Sequence, residues 1–168
     1  MAATYTPIAS ITLGANATTV TFTSIPSTYT DLVFVINAKN DTTTNSEIRF
    51  NSDSGSNYSA TALYGNGSSA ASTRETSTAQ ASIDWNAYIT TGDFAYSNVI
   101  NIMNYSNTTT YKTFLARANS AANGVDLIAG LWRSTAAINS LTILTTTGTR
   151  NFAAGSTFNL YGILGANA

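Results

Sequence analysis

The chain has 168 residues, of which only 9% are charged, and its formal net charge at pH 7 is −1. Soluble globular proteins carry about 25% charged residues, so Thr, Ser and Asn must fill most polar surface positions here. The seven Lys and Arg residues stand singly along the sequence and form no basic patch, which argues against nucleic acid as a partner.

The residue types that are absent exclude most catalytic chemistry. The chain contains neither Cys nor His, which removes Ser-His-Asp and Cys-His nucleophiles, histidine bases and ordinary zinc sites. A carboxylate pair of the glycosidase kind remains open, but no spacing among the eight Asp and Glu residues singles out a pair. We therefore expect a protein that is not an enzyme, with no catalytic residues, no cofactor and no metal.

No apolar run approaches the roughly 20 residues that cross a bilayer, so no membrane partner is expected. The N-terminus also lacks the basic and apolar blocks of a secretory signal. A chain of this length is most simply one domain, which we place at residues 1–168.

The first half of the chain shows the two-residue period of β-strands. Ile8–Gly14 and Val20–Phe22 predict a hairpin, because the residues between them suit a turn. The apolar run Asp31–Ala38 predicts a strand that is buried on both faces and central in a sheet. Further strands are predicted at Glu47–Phe50 and Tyr58–Gly65.

The second half of the chain shows the two-residue strand period less regularly. Residues 68–80 are small and polar without a period, which predicts a surface loop. Asn123-Gly124 is a strong hairpin signal. The remaining predictions are a short strand at Ile83–Ile89, a turn at Gly92-Asp93, strands at Asn98–Tyr105 and Tyr111–Ala118, and three consecutive strands within Leu127–Gly165 separated by turns at Gly148 and Gly155.

About ten strands and no convincing amphipathic helix predict an all-β fold. We expect a single antiparallel β-sandwich of jelly-roll type, although periodicity does not specify how the strands connect. Residues 1–7 are predicted to be a flexible N-terminal arm.

Five residues are candidates for an interface: Tyr5, Pro7, Trp85, Trp132 and Arg133. Tyr5 and Pro7 belong to the N-terminal segment, which is predicted to reach an adjacent subunit. Trp85 and Trp132 fit either the core or a contact surface, and a Trp that ends a strand can lie at the rim with its N–H free for a partner. Arg133 fits either a bidentate contact with a neighbouring carboxylate or a solvated charge.

The loop Asn51–Asn57 places oxygen-bearing side chains at alternate positions around a Gly, as a calcium loop does. It has only one carboxylate, however, whereas calcium loops use several. We therefore interpret it as an Asx-rich turn.

Five stretches with turn-and-strand patterns are spread over nearly the whole chain: YTPIASITL at 5–13, IPSTYTDLVFVI at 25–36, RFNSDSGSNYSATALYGNGSSA at 49–70, GLWRSTAAINSLTI at 130–143 and FAAGSTFNLYGI at 152–163. They resemble small virion proteins of tailed bacteriophages, notably those of cyanobacterial and marine hosts. No matching pattern occurs between Ser72 and Ser97. The resemblance implies a structural role and leaves the position in the virion open.

Within that resemblance two roles compete. The first is a capsid decoration or cement protein, made in the bacterial host cytoplasm, that trimerises on the capsid surface and binds the major capsid protein. The second is a tail-fibre or receptor-binding module that recognises host surface glycans. We favour the first, because the short chain has no repetitive shaft and its strands lack the lysines that guard exposed edges.

Overall fold

The computed structural model describes residues 4–91, 96–146 and 148–165, and the predicted turn at Gly92-Asp93 lies outside them. Within these ranges no helix is long and apolar enough to cross a membrane. The described residues form twelve strands: β1 Thr6–Thr12, β2 Thr19–Phe22, β3 Asp31–Ala38, β4 Ser46–Phe50, β5 Tyr58–Gly65, β6 Ala70–Thr78, β7 Ala81–Ser82, β8 Tyr96–Met103, β9 Lys112–Ser120, β10 Gly124–Trp132, β11 Leu141–Thr145 and β12 Thr157–Ile163.

The strands form two antiparallel sheets of unequal width. The larger has eight strands in the order β1-β12-β3-β8-β9-β10-β5-β6, and the smaller has four in the order β2-β11-β4-β7. Rings from the two sheets meet between them: Phe22 contacts Phe34 with ring centroids 5.4 Å apart, and Phe50 contacts Phe114 at 6.0 Å. The predicted all-β antiparallel sandwich is confirmed.

The jelly-roll assignment stays a prediction, and the strand order is compatible with it. When the hairpins β5–β6 and β9–β10 are set aside, eight strands remain, four in each sheet. Successive members of this set lie in different sheets, except β4 and β7, which pair with each other in the smaller sheet, and this order fits the two Greek keys of a jelly roll. The two hairpins then extend only the larger sheet.

Several elements follow the predicted pattern. Strand β3 spans Asp31–Ala38 and lies inside the larger sheet between β12 and β8. The hairpin at Asn123-Gly124 joins β9 to β10, with Gly124 opposite Ser120. In β9 every second side chain is buried, which is the alternation expected of a strand with one face on the core.

The predicted N-terminal hairpin is wrong, because β1 pairs with β12 in the larger sheet and β2 pairs with β11 in the smaller. The predicted arm at residues 1–7 is also wrong from Thr6 onward, since β1 is a paired edge strand. The three C-terminal strands exist, but β11 lies in a different sheet from β10 and β12. The hairpin and arm predictions fail for one reason: periodicity indicates that a strand buries one face but does not specify its hydrogen-bonding partner.

Two further predictions fail around the end of the larger sheet. Residues 70–78 are not a loop but the edge strand β6, which pairs with β5 along its whole length. Its side chains are mostly exposed, so it lacks the apolar period by which strands are recognised. Conversely, the strand predicted at Ile83–Ile89 is not formed. The strand just before it, β7, ends at Ser82.

The packing of β10 against β9 in the larger sheet depends on a glycine. An added Cβ at Gly130 would lie 1.9 Å from Cζ of Phe114, and Phe114 is 1% exposed and cannot move away. We expect Gly130→Ala to lower the free energy of unfolding by about 3 kcal/mol, measured by urea denaturation. Gly14→Ala is the matched control, since nothing lies within 4 Å of its Cβ position, and it should be near neutral. Equal effects of the two substitutions would contradict this packing.

Candidate functional site

A cavity of about 310 Å³ opens at the edge of the sandwich beside β4 and β7. We call it the acidic cleft, because three carboxylates lie in its wall. Its lining residues are Asn45, Glu47, Glu75, Ser82, Asp84, Trp85 and Thr146.

Glu75 joins the two sheets at the cleft. It comes from β6 of the larger sheet, yet it accepts hydrogen bonds from the backbone nitrogen and the hydroxyl of Ser82 at 2.7 and 2.9 Å. Ser82 belongs to β7 of the smaller sheet, where it lies opposite Glu47 of β4. Two glutamates from different sheets are thereby brought to one site.

Asp84 forms the floor of the cleft and is 1% exposed. One carboxylate oxygen accepts from Asn45 Nδ2 at 2.9 Å and from the Ser46 backbone nitrogen at 3.0 Å. The other accepts from the Tyr96 hydroxyl at 2.7 Å and from the Ser46 hydroxyl. Burial raises the pKa of Asp84 to about 6, although these donors oppose the shift. Because each oxygen already accepts two hydrogen bonds, Asp84 supports the cleft rather than binding a ligand directly.

Glu47 is the least stabilised carboxylate of the cleft. It is 8% exposed, and one hydrogen bond reaches it, from Gln80 Nε2 at 3.1 Å. Burial, together with the charges of Glu75 and Asp84, raises the pKa of Glu47 to about 7. The group therefore changes charge near neutral pH, as functional carboxyls often do.

Trp85 is held at the wall by a carboxylate from the larger sheet. One oxygen of Asp126 accepts from the backbone nitrogens of Trp85, Asn86 and Ala87 at 2.5, 2.9 and 3.0 Å. Asp126 is 5% exposed, so it fixes this turn from inside the sandwich. Sequence reasoning missed Asp126, because an inward-facing Asp in a strand carries no local signal of its distant partner.

The arrangement is suited to binding. Carboxylate oxygens and the Asn45 amide oxygen can accept hydrogen bonds, and the half-buried Trp85 adds an apolar aromatic wall. Among the residues described, no group of three or more Asp and Glu side chains is arranged to hold a metal ion. The sequence positions of Glu47, Glu75 and Asp84 did not indicate that these three acids would meet.

Trp132, for which the sequence left both the core and a contact surface open, lies in the core. It is 2% exposed, its ring stacks on Tyr58 with centroids 6.3 Å apart, and its Nε1 donates to Asp53 Oδ2 at 2.7 Å. The interface interpretation of Trp132 is therefore wrong. The reason is that a partner for the indole N–H is supplied within the chain by the loop after β4.

That loop is an Asx-rich turn, as predicted. Asp53 accepts from the Gly55 backbone nitrogen at 2.8 Å and from Asn57 Nδ2 at 2.9 Å, in addition to Trp132. Burial opposes ionisation, but these hydrogen bonds outweigh it and lower the pKa of Asp53. The carboxylate is thus fully used in joining the loop to the core.

Arg133 holds the same loop from the other side. Its guanidinium donates to the Ser59 hydroxyl at 2.6 Å and to the carbonyl oxygens of Ser56 and Tyr58, both at 3.1 Å. The predicted contact with a carboxylate of another chain would have to displace these bonds. Arg133 is therefore a structural residue of the folded chain.

Tyr5 and Pro7 lie at the outer edge of the larger sheet. Tyr5 is 54% exposed, and its ring meets Tyr161 edge-on with centroids 6.4 Å apart. Pro7 lies in β1, whose pairing with β12 shifts register between Pro7 and Ala9. Both residues are accessible, and their role at an interface stays a prediction.

The outer face of the larger sheet carries a second candidate surface, which we call the apolar patch. Leu63, Val125 and Leu127 are 58%, 60% and 43% exposed. Leu63 of β5 lies opposite Leu127 of β10, and all three line a cavity of about 410 Å³. The sequence did not identify this patch, because alternation along a strand does not reveal which face is covered.

Comparison with known proteins gives no family for this chain. No protein-family model matches it, and no curated protein matches it. One solved structure, Bacteroides ovatus Xyloglucan PUL GH43B, aligns with 86% of this chain and 32% of its own length, at 9% identity and a TM-score of 0.28. The chain thus spans about a third of that protein, and similarity at this level carries no argument about fold or activity.

Glu47 predicts a specific pH dependence of stability. Because the folded chain binds this proton more tightly than the unfolded chain, stability should fall as the pH rises from 4.5 to about 7. We expect Glu47→Gln to raise the free energy of unfolding by about 2 kcal/mol near pH 8 and to change little near pH 4, measured by urea denaturation across pH.

Asp41→Asn provides the control for this prediction. Asp41 is an exposed acid whose pKa is lowered by hydrogen bonds from Asn151, so its neutralisation should give no gain near pH 8. An unchanged pH profile in Glu47→Gln would contradict the assignment.

Proposed function

We propose that the chain is a structural protein of a tailed-phage virion, a decoration or cement subunit that binds the outer face of the capsid shell. The sequence resemblance supports a virion role. The observation that carries the contact function is the apolar patch, in which three large apolar side chains are exposed together. Contiguous exposed apolar surface of this kind typically marks a protein interface.

The sheet around the patch strengthens this proposal. An antiparallel sheet with one face on the core usually presents a polar outer face. Here the strands beside the patch contribute further half-buried apolar side chains, Val99 of β8 and Leu115 of β9. Arg117 of β9 lies opposite both Val99 and Leu127, so a basic group lies beside the apolar surface.

The function is mechanical under this proposal. Each copy contributes a modest contact to the major capsid protein and to its own copies in a homotrimer. In a symmetric shell many such contacts act together, so that dissociation of the assembly is slow. The near-neutral net charge of −1 offers little repulsion between adjacent copies.

The test uses virions of the phage that encodes the chain. Quantitative mass spectrometry should find copies on the order of hundreds per virion, as a repeating shell lattice requires. A count on the order of a few tens or fewer would contradict decoration of the shell and favour the tail.

The contact itself is tested by Leu127→Lys, which places a charge in the apolar patch. We expect occupancy on capsids lacking the native protein to fall by about tenfold or more. Thr19→Lys is the matched control, because Thr19 is exposed on the smaller sheet, and it should bind as the unchanged chain does. Equal occupancy of the two variants would exclude the patch as the capsid contact.

The acidic cleft supports a second candidate function, recognition of host surface glycans by a tail-fibre or receptor-binding module. Carboxylates that accept hydrogen bonds from hydroxyl groups, next to an aromatic ring that packs on apolar ring faces, form the chemistry of a sugar site. Glu47, Glu75 and Trp85 supply these groups at the cleft.

Glycan-array binding of the purified chain distinguishes this candidate. If the cleft binds sugar, the array should show ligands whose binding is lost in Trp85→Ala. Tyr111→Ala, which removes an aromatic ring that is 56% exposed elsewhere, should keep them. Failure of every glycan to bind, or equal loss in both variants, would count against glycan recognition at the cleft.

A further inference from the structure

The chain contains two Asn-Gly steps, Asn66-Gly67 and Asn123-Gly124. In such a step the backbone nitrogen of the glycine can attack the Cγ atom of the asparagine side chain, because no Cβ hinders the approach. The two steps have the same local chemistry, but the fold holds them in opposite ways.

At Asn66 the side-chain carbonyl oxygen is activated. Oδ1 accepts hydrogen bonds from the backbone nitrogens of Ser68 at 3.0 Å and Ser69 at 2.9 Å, with the Ser69 hydroxyl at 3.4 Å. Two backbone N–H groups on one carbonyl oxygen are the arrangement that stabilises the oxyanion of a tetrahedral intermediate. They draw electron density from Cγ and so favour attack on it.

The rest of the Asn66 site leaves the reaction unobstructed. Asn66 and Gly67 are both exposed, and Gly67 has a φ of 84° with nothing within 4 Å of its Cβ position. Within the described part of the chain, no acceptor binds Asn66 Nδ2, so the amide nitrogen that must leave is free in water.

At Asn123 the same groups are restrained. Its Nδ2 donates to the Ser120 hydroxyl at 2.9 Å and to the Tyr88 carbonyl at 3.4 Å. Gly124 begins β10, where its Cβ position lies 2.4 Å from the Gly65 carbonyl oxygen and 2.6 Å from Asn86 Nδ2. The leaving nitrogen is therefore bonded, and the backbone that must move is enclosed.

We propose that Asn66 is a site of spontaneous deamidation in the folded protein, and that Asn123 is protected. The Gly67 nitrogen forms a bond to Asn66 Cγ and gives its proton to water, while the Cγ–Nδ2 bond breaks and the departing nitrogen takes one proton from water and leaves as ammonia. Water then opens the resulting succinimide at either carbonyl. The net reaction consumes one water, releases one ammonia, and leaves aspartate or isoaspartate at this position.

The reaction changes the tip of the β5–β6 hairpin. It adds one negative charge next to Gly65 and Ala70, which line the cavity of the apolar patch. The isoaspartate product also lengthens the main chain at the turn and separates the carboxylate from the Ser68 and Ser69 nitrogens. The reaction needs only the turn and water, so it does not depend on the proposed virion role.

The test incubates the full-length folded chain at mildly alkaline pH in heavy-oxygen water and follows both sites by peptide mass spectrometry. A parallel sample is kept unfolded in denaturant. We expect label to enter the Asn66 peptide at least as fast in the folded as in the unfolded chain, and about tenfold faster than it enters the Asn123 peptide of the folded chain. In the unfolded chain the two sites should react at similar rates.

Two variants make the outcome decisive. Gly67→Ala should suppress labelling at Asn66 without affecting Asn123, and Asn66→Ser, which has no carbonyl carbon for the nitrogen to attack, should abolish it. Slower reaction of Asn66 in the folded than in the unfolded chain would overturn the proposal, because the turn would then protect the amide. Equal rates at the two sites in the folded chain would overturn it as well.

Discussion

The buried carboxylate of Asp126 is the interaction on which the organisation of this sandwich most depends. The smaller sheet has half as many strands as the larger, so it cannot cover the whole inner face of the larger sheet. The segment after β7 lies over it, and Asp126 fixes that segment by accepting three consecutive backbone hydrogen bonds. A carboxylate that binds several N–H groups in a buried site satisfies donors that would otherwise be costly to bury.

The acidic cleft is a consequence of that closure. Since the covering segment turns at Asp84 and Trp85, it brings their side chains next to Glu47 of the smaller sheet and Glu75 of the larger. Asp84 is stabilised there by four hydrogen bonds, whereas Glu47 receives one and its pKa is about 7. The same contacts that join the two sheets thus collect acidic groups at one edge.

The two candidate surfaces lie on different parts of the molecule and support different functions. The apolar patch belongs to the outer face of the two hairpins that widen the larger sheet. The cleft lies at the junction of the sheets. Two of the interface candidates from the sequence, Trp132 and Arg133, bind the loop between β4 and β5. Both candidate surfaces therefore include residues of the two added hairpins or of the segment that covers them.

The sequence by itself determined the all-β class, the position of β3, the β9–β10 hairpin and the Asx-rich turn at Asp53, because alternation and turn chemistry act over a few residues. Tertiary structure alone decided that β1 and β2 belong to different sheets, that residues 70–78 form an edge strand, and that Glu47, Glu75 and Asp84 meet. Strand partners and clustered carboxylates depend on contacts between residues far apart in the chain, such as Asp126 with Trp85. A two-residue period records only which side of a strand is buried, so it holds no information about what lies on the other side of the core.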